Sequence, residues 1–333
     1  MASQYKYGKR ALRSGDGLRD SGMQQELPLV SIVTPSYNTG AFIQETILSV
    51  KKQTYPRIEH IIIDGGSTDN TLDVIKEYKG TYNMHWVSEP DNGQSDAINK
   101  GWRMAKGEIL GWLNGDDTYM PWAVETVVKF LNDHPDVGMV YGDCNTVNER
   151  NKLVQRCKAK KFNLKEMLCR GNTLPQPAAF LRREVLDEVG YLDTNLHFAM
   201  DFDLWIRIGL EFKVEHISQF LANFRRCSGT KSMDEAYKFA PELLYILDKI
   251  FADPRLPEEI RALRRRAYSL AHFKFCADYL SQRQIKVARK HLVKAIRLYP
   301  RNLVDPWAAG CLVASFPGGR AIRTAVKSIL RFF

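Results

Sequence analysis

The chain has 333 residues, 44% of them hydrophobic, and a formal net charge of +10 at pH 7. That is enough for one large or two modest domains around a sizeable core. No apolar run reaches 18 residues, which argues against a transmembrane helix, and the opening MASQYKYGKRALRSGDGLRDSGMQQ has no apolar h-region, so residues 1–27 are expected to be a polar, mobile tail rather than a secretory signal.

The charge is uneven. Residues 241–333 hold 18 Lys+Arg against 7 Asp+Glu, while the first 240 are nearly neutral at −1, which points to two parts with different jobs. The six cysteines (144, 157, 169, 227, 276 and 311) form no C-x-x-C pair and no metal-ligand spacing, the pattern of reduced, mostly buried thiols in a cytosolic protein.

From residue 29 to 145 the chain alternates two patterns. LVSIVTP, IEHIIID, MHWVSE, EILGWLN and VGMVYGD are short apolar runs rich in β-branched residues. AFIQETILSVKKQ, TLDVIKEY, QSDAINKGWRMA and PWAVETVVKFLNDH repeat apolar residues every three or four positions. This alternation predicts an α/β fold, a mainly parallel Rossmann-like sheet flanked by helices. Such sheets bind ligands at the carboxyl ends of their strands, where Ser36 to Asn38, Asp64 to Asp69, Glu89 to Asp96 and Asn114 to Asp117 stand. Residues 146–235 are mixed, with short strands AAFLR, FKVEHIS and QFLANFR and two helices. Beyond about 236 the pattern is all-helical. There Tyr279, Ala288, Leu292, Ala295 and Pro300 fall at the spacing of one tetratricopeptide hairpin, with His272 and Cys276 departing from the usual residues.

Four clusters could carry chemistry. DGGSTDNT (64–71) follows a strand and opens a helix, and Asp69 suits an N-cap or first-turn acid. It is neither a dinucleotide fingerprint nor a P-loop. WLNGDDTYMP (112–121) sets Asp116 beside Asp117; adjacent carboxylates repel unless a cation or donor neutralises them, and hard oxygen ligands suit Mg²⁺ or Mn²⁺. AMDFDLWIRIG (199–209) puts Asp201 and Asp203 at the head of an apolar run. On a helix they point to different faces, and Arg207 lies one turn beyond Asp203. SEPDNGQSDAINKG (88–101) gathers polar groups at a strand-to-helix junction. Each could also be an ordinary solvated turn or helix start.

Together, in this order and spacing over residues 28–232, these motifs resemble the family-2 glycosyltransferases of the GT-A fold, in the subgroup with D-G-G-S-T-D and M-D-[YF]-D-L-W that is often found in bacterial surface-polysaccharide clusters. The resemblance implies an inverting transferase moving a sugar from a nucleotide-diphosphate donor, most often a UDP-sugar, to a glycan or lipid-linked acceptor. By the same resemblance Pro35 and Tyr37 lie against the base and ribose, Asp64 meets the base, and Asp96 and Asn99 lie near the donor. Asp116 and Asp117 match the metal motif, with Mn²⁺ or Mg²⁺ bridging the diphosphate, and Asp201 matches the general base. The sequence departs from the pattern twice. Asn114 stands where many relatives carry the first Asp of the metal motif, which leaves the ligand count and the split of work between Asp116 and Asp117 open. Cys227 stands where relatives often place a His, either as a neutral substitution or with the loss of a diphosphate contact for which Arg225, Arg226 and Lys231 could compensate.

The expected organisation is a tail over 1–27, a GT-A domain over 28–235, a helical region over 236–302 and a basic amphipathic tail over 303–333. In RAIRTAVKSILRFF, apolar and basic residues take opposite helix faces, the pattern of an interfacial helix on an anionic membrane; a helix docked on the protein's own core has the same pattern. The expected location is cytoplasmic, at the inner face of the plasma membrane through that tail. No nucleic-acid partner is expected, since basic and aromatic residues do not interleave. The rival readings are a non-catalytic nucleotide-sugar-binding protein and a membrane-recruited interaction protein that kept the fold.

Overall fold

The computed structural model describes residues 27–227 and 238–304. The expected N-terminal tail, Lys231 and nearly all of the basic tail lie outside them. Two compact units are present: residues 1–162 with 173–228, and residues 163–172 with 229–333.

The first unit is built on one nine-stranded sheet. β1 (Val30–Ser36), β2 (Ile58–Asp64), β3 (Met84–Ser88) and β4 (Ile109–Trp112) run parallel in the order β3-β2-β1-β4. β1 is buried along its whole length and β2 along nearly all of it, as strands covered on both faces must be. Beyond β4 the sheet is mixed. It holds β5 (Thr118–Tyr119), β6 (Val137–Val147), β7 (Leu153–Cys157), β8 (Ala179–Arg182) and β9 (Lys213–Arg225), continuing as β8-β6-β9-β5 with β7 on β6. The runs FKVEHIS and QFLANFR are one strand, not two. β9 bulges opposite Gly142 to Cys144, which gives the polar break at Ser218 and Gln219 its place within a continuous ladder.

The helices of this unit are α1 (Ile43–Lys51), α2 (Thr71–Glu77), α3 (Gln94–Met104) and α4 (Ala123–Asp133), then α6 (Arg183–Val189) and α7 (Met200–Glu211); α5 (Leu164–Arg170) belongs to the second unit. α4 buries Val124, Val127, Val128 and Leu131, one stripe at helical spacing. α3 lies so close to the sheet that a Cβ on Gly101 would stand 2.3 Å from Val33 Cγ1, so only glycine fits.

The second unit is helical. Asn163 caps α5, its Oδ1 accepting from Glu166 N–H at 3.0 Å. α8 (Phe239–Ala252) and α9 (Glu258–Arg261) lead into the hairpin of α10 (Arg264–Ser281) and α11 (Ile285–Leu298). Ala288, Leu292 and Ala295 pack on Phe273 and Cys276, with Tyr279 at the edge of the cluster. His272, where the repeat would carry a larger aromatic residue, is buried and bonds His291 at 3.2 Å. Among the described residues no helix is long and apolar enough to cross a membrane, and five cysteines are free thiols, of which Cys157 is only partly buried.

Candidate active site

At the carboxyl edge of the sheet, Ser36, Asp64 and Ser88 stand in register across β1, β2 and β3. Asp64 is fully buried. Its Oδ2 accepts from Gly66 N–H (3.1 Å), Ser67 N–H (3.0 Å) and Ser88 Oγ (2.7 Å), and its Oδ1 from the Ser67 hydroxyl. The carboxylate therefore shapes the DGGST turn. The loops after β1 and β2 are bolted together. Asn38, in the left-handed region at φ 51°, donates its N–H to Ser67 Oγ and accepts from Thr68 N–H at 2.8 Å. Asp69 lies one residue before the Asn70 cap; it accepts from Thr71 N–H and Gly40 N–H at 3.0 Å each. Against this rigid pair of loops Pro35 is buried in β1, while Tyr37 is 63% exposed and presents its ring at the edge.

The loop before α3 adds a carboxylate that the motif comparison left aside. Asp91 accepts from Gly93 N–H at 2.8 Å and hangs over Gly65, where any Cβ would stand 2.7 Å from its Oδ2. Burial pushes its carboxyl above the usual range, and Asp96 and Asp64 add to that. The signal in the sequence was the glycine pair itself, which leaves room for a neighbour. Asp96 holds this loop by accepting from Asn92 N–H at 3.1 Å.

Asn99 does not face this edge. It is buried, and its amide makes a reciprocal pair with the backbone of Leu192, donating at 2.9 Å and accepting at 3.0 Å. Each end of the amide is thus bonded to backbone inside the protein. Its work is to fasten the 192–199 segment to α3, helped by Ser95 Oγ to Leu196 O at 2.7 Å. This segment leads into α7, so the pairing sets where α7 begins. Asp201, half-buried in its first turn, accepts from Phe202 N–H at 2.8 Å. Asp203 is fully buried and pairs with Arg207 at 2.8 Å, as the spacing predicts.

The turn between β4 and β5 carries the two adjacent carboxylates, and they are unlike. Asp117 is buried. Its Oδ1 accepts from Arg225 N–H at 2.8 Å and its Oδ2 from Asn114 Nδ2 at 3.3 Å. Burial pushes its carboxyl well above the usual range, and the Asp116 charge pushes the same way. Asp116 is half-buried, its carboxyl raised by burial, and among the described residues no other side chain bonds it. Asn114 is saturated. Its Oδ1 accepts from Trp112 Nε1 (2.7 Å) and Gln94 Nε2 (2.8 Å), and its Nδ2 donates to Asp117 and to Gln176 Oε1 (3.1 Å). An aspartate could not make the last two bonds.

Arg225 does not reach for a ligand either. It is buried, with Nε on Asp116 O (2.8 Å), Nη1 on the carbonyls of Asn148 and Glu149 (3.2 Å each), Nη2 on Glu45 (2.6 Å), and its guanidinium 4.8 Å from the Phe42 ring centroid. The expected compensation on a diphosphate is corrected for this residue: the guanidinium holds the carboxylate turn from behind. Cys227 is buried, and burial and Asp116 both push its thiol up.

Among the described residues no three His, Cys, Asp or Glu side chains gather into a metal cage. The Asp116–Asp117 turn suits a different design, a hard divalent ion held by one or two carboxylates and completed by phosphate oxygens and water. Asp116 fits that donor set, since its carboxylate is half-buried and among the described residues no side chain bonds it.

Residues 31–190 match the family model described as Glycosyl transferase family 2. An uncharacterized glycosyltransferase of Mycobacterium tuberculosis, Rv1514c, is 31% identical over 188 residues, 55% of this chain and 70% of that protein. Another from Rickettsia typhi, RT0329, is 33% identical over 193 residues, 54% of this chain and 58% of that protein. Matches to four rickettsial relatives span 58%, 33%, 60% and 31% of their lengths. The fold is also similar to Staphylococcus aureus TarS 1–349 solved with UDP-GlcNAc (TM-score 0.64, 17% identity, 90% of this chain and 92% of that one). The mannosyltransferase PcManGT of Pyrobaculum calidifontis, solved with GDP-Man and Mn²⁺, is similar too (TM-score 0.59, 20% identity, 90% and 83%). The sheet with its flanking helices is a GT-A fold, and the chain belongs to the family-2 glycosyltransferases.

Proposed function

We propose that the protein is an inverting glycosyltransferase that moves a sugar from a nucleotide-diphosphate donor, a UDP-sugar by preference, to a hydroxyl of a glycan or lipid-linked acceptor. The observation that carries this reading is the division within the Asp116–Asp117 turn. One carboxylate is locked into the fold, and the other is half-buried with no side chain bonded to it among the described residues. That division supports Asp116 as the ligand of a divalent cation, with Asp117 fixing the turn. The similar folds solved with UDP-GlcNAc and with GDP-Man and Mn²⁺ support a nucleotide sugar and a divalent ion, Mn²⁺ or Mg²⁺.

Tyr37 and Asp91 would flank the nucleoside on the turn that Asp64 shapes, with Pro35 packed beneath and Asp96 holding the loop. Asp201 would take the proton from the acceptor hydroxyl as its oxygen attacks the anomeric carbon. A bound divalent ion supplies positive charge to the diphosphate as it leaves. The base comes from a different segment than the metal turn, which suits attack from the face opposite the leaving group. The acceptor would be a polysaccharide or glycolipid intermediate at the cytoplasmic face, with residues 303–333 resting on an anionic membrane.

The test is a thermal-shift and turnover screen over nucleotide sugars with and without Mn²⁺, since a ligand of the native state raises apparent stability with its affinity. A donor that stabilises only with the ion, and is turned over by wild type but not by Asp201→Asn, is expected. No stabilisation by any nucleotide, or equal turnover by the variant, would overturn the reading.

A further inference from the structure

From Arg150 to Lys161 the chain carries six Lys+Arg and no Asp or Glu. All six cations (Arg150, Lys152, Arg156, Lys158, Lys160 and Lys161) are exposed, and among the described residues none is in an ion pair. The rest of the described first unit holds 15 Lys+Arg against 25 Asp+Glu, so this run is the cationic pole of an acidic body. Between the cations stand Leu153 and Val154, 52% and 63% exposed. The run is held in place. Asn148 Oδ1 accepts from Arg150 N–H and Lys152 N–H at 3.0 Å each, which sets the turn from β6 to β7. Past β7, Ala159 N–H donates to Asp143 Oδ1 at 2.9 Å and the Tyr141 hydroxyl donates to Lys160 O, so the basic segment stays along β6.

Among the described strands β7 pairs with β6 alone, which leaves its outer edge open. Exposed lysines commonly guard such an edge. Guarding does not account for two exposed apolar residues beside them, and β3, at an end of the same sheet, carries no Lys or Arg. The chemistry narrows what covers this surface. An added peptide strand is opposed by the bulge, which leaves Val154 without a partner on β6. A second copy would set six cations against six. An acidic glycan answers the charges but not Leu153 and Val154. An anionic bilayer answers both, since headgroups take the cations and the acyl boundary takes the apolar pair.

We propose that the β6–β7 hairpin docks the protein on an anionic lipid bilayer, with Leu153 and Val154 at the acyl boundary and the six cations among the headgroups. This contact lies within the first unit and adds to the one proposed for residues 303–333. It also fixes what faces the lipid. Arg225 Nη1 bonds Asn148 O and Glu149 O at the hairpin tip while its Nε bonds Asp116 O, so one guanidinium links the docked tip to the carboxylate turn. A lipid-linked acceptor then meets that turn without leaving its membrane. Only this last step rests on the proposed transfer, because docking needs no turnover.

Hydrogen exchange of the full chain reads the hairpin directly, whatever residues 303–333 contribute. The amides of 150–158 should gain protection on vesicles of equal parts phosphatidylglycerol and phosphatidylethanolamine, and none on phosphatidylcholine vesicles. In cosedimentation with the anionic vesicles, Leu153→Ser with Val154→Ser should weaken binding about tenfold. Arg156→Gln with Lys158→Gln should weaken it about thirtyfold, roughly fivefold per cation. Tm and nucleotide binding should match wild type in both. The proposal is overturned if the hairpin amides exchange alike with and without anionic vesicles, or if either double variant binds them as wild type does; loss in the charge variant alone would mark a site for an acidic glycan instead. Hairpin protection in a protein that binds no nucleotide would keep the docking surface and remove the transferase reading. An unprotected hairpin in a protein that turns over a nucleotide sugar would remove the docking surface alone.

Discussion

Arg207 Nε lies 2.8 Å from Asp203 Oδ2, one turn apart on α7, and the remaining guanidinium N–H groups hold the carbonyls of Val189, Gly190 and Tyr191 at 2.6 to 2.9 Å. A buried carboxylate thus positions an arginine that staples the end of α6 to α7. Asp201, two residues earlier, takes no part in that staple. The two acids should therefore fail differently. Asp203→Asn should lose about 3 kcal/mol of stability, because it breaks a buried pair from one side. Asp201→Asn should melt like wild type and keep donor binding, with turnover down about 10²-fold or more. Urea unfolding and single-turnover assays separate the two, and identical profiles would refute the division.

Arg225→Lys should destabilise the first unit by about 3 kcal/mol, since a lysine cannot span Asp116 O, Asn148 O, Glu149 O and Glu45 at once. The Mn²⁺ concentration for half-maximal donor stabilisation should rise with it, as the carboxylate turn loses its backing. A melting curve and an ion titration unchanged from wild type would show the guanidinium to be dispensable.

Asn114→Asp removes two donors and sets a third carboxylate beside two whose burial already disfavours charge. Stability in EDTA should fall by about 2 kcal/mol, and saturating Mn²⁺ should recover part of the loss. Equal melting of variant and wild type without metal would contradict the network described for this position.

His60 is buried between Thr34 Oγ1 (2.9 Å) and the Tyr82 hydroxyl (2.6 Å), and burial lowers its pKa to about 3. Between pH 6.5 and 3 the unfolded chain binds a proton that the folded chain refuses. Stability is thus full above pH 6.5 and falls progressively with acid. In the helical unit, burial lowers His272 to about 4, which adds the same slope there, whereas burial raises Asp278 to about 6. Asp278 works the other way, its penalty easing as pH falls from 6 towards the ordinary carboxylate range. Urea midpoints from pH 7.5 to 4 should fall for wild type, less steeply for His60→Gln and more steeply for Asp278→Leu.

The alternation of apolar runs was enough to place β1 to β4 and their helices, because strands covered on both faces show as unbroken Val, Ile and Leu. The ladder of β9 was not legible as one strand, since its bulge reads as a polar gap. At the site, the motifs pointed to the right segments but could not say which side chains face outward. Asp64 and Asn99 are buried and bonded within the fold, Asp64 by two backbone N–H groups and the Ser67 and Ser88 hydroxyls and Asn99 by the Leu192 backbone, a matter of rotamer and neighbour that residue type does not carry. Asp203 and Arg207 were legible because helix periodicity alone brings them together. Arg225 was not, because its partners come from loops and from α1, 76 to 180 residues away.

The saturation of Asn114 has an evolutionary side. Asparagine and aspartate codons differ by one base, so an aspartate at 114 is a single mutation away. Yet Gln94, Gln176, Trp112 and Asp117 each match one end of the amide. A carboxylate at 114 fits once the Gln176 amide turns its Nε2, now donating to Trp112 O, towards it and Asp117 finds another partner. The position is held by its neighbours, and lineages that carry asparagine here should carry both glutamines with it.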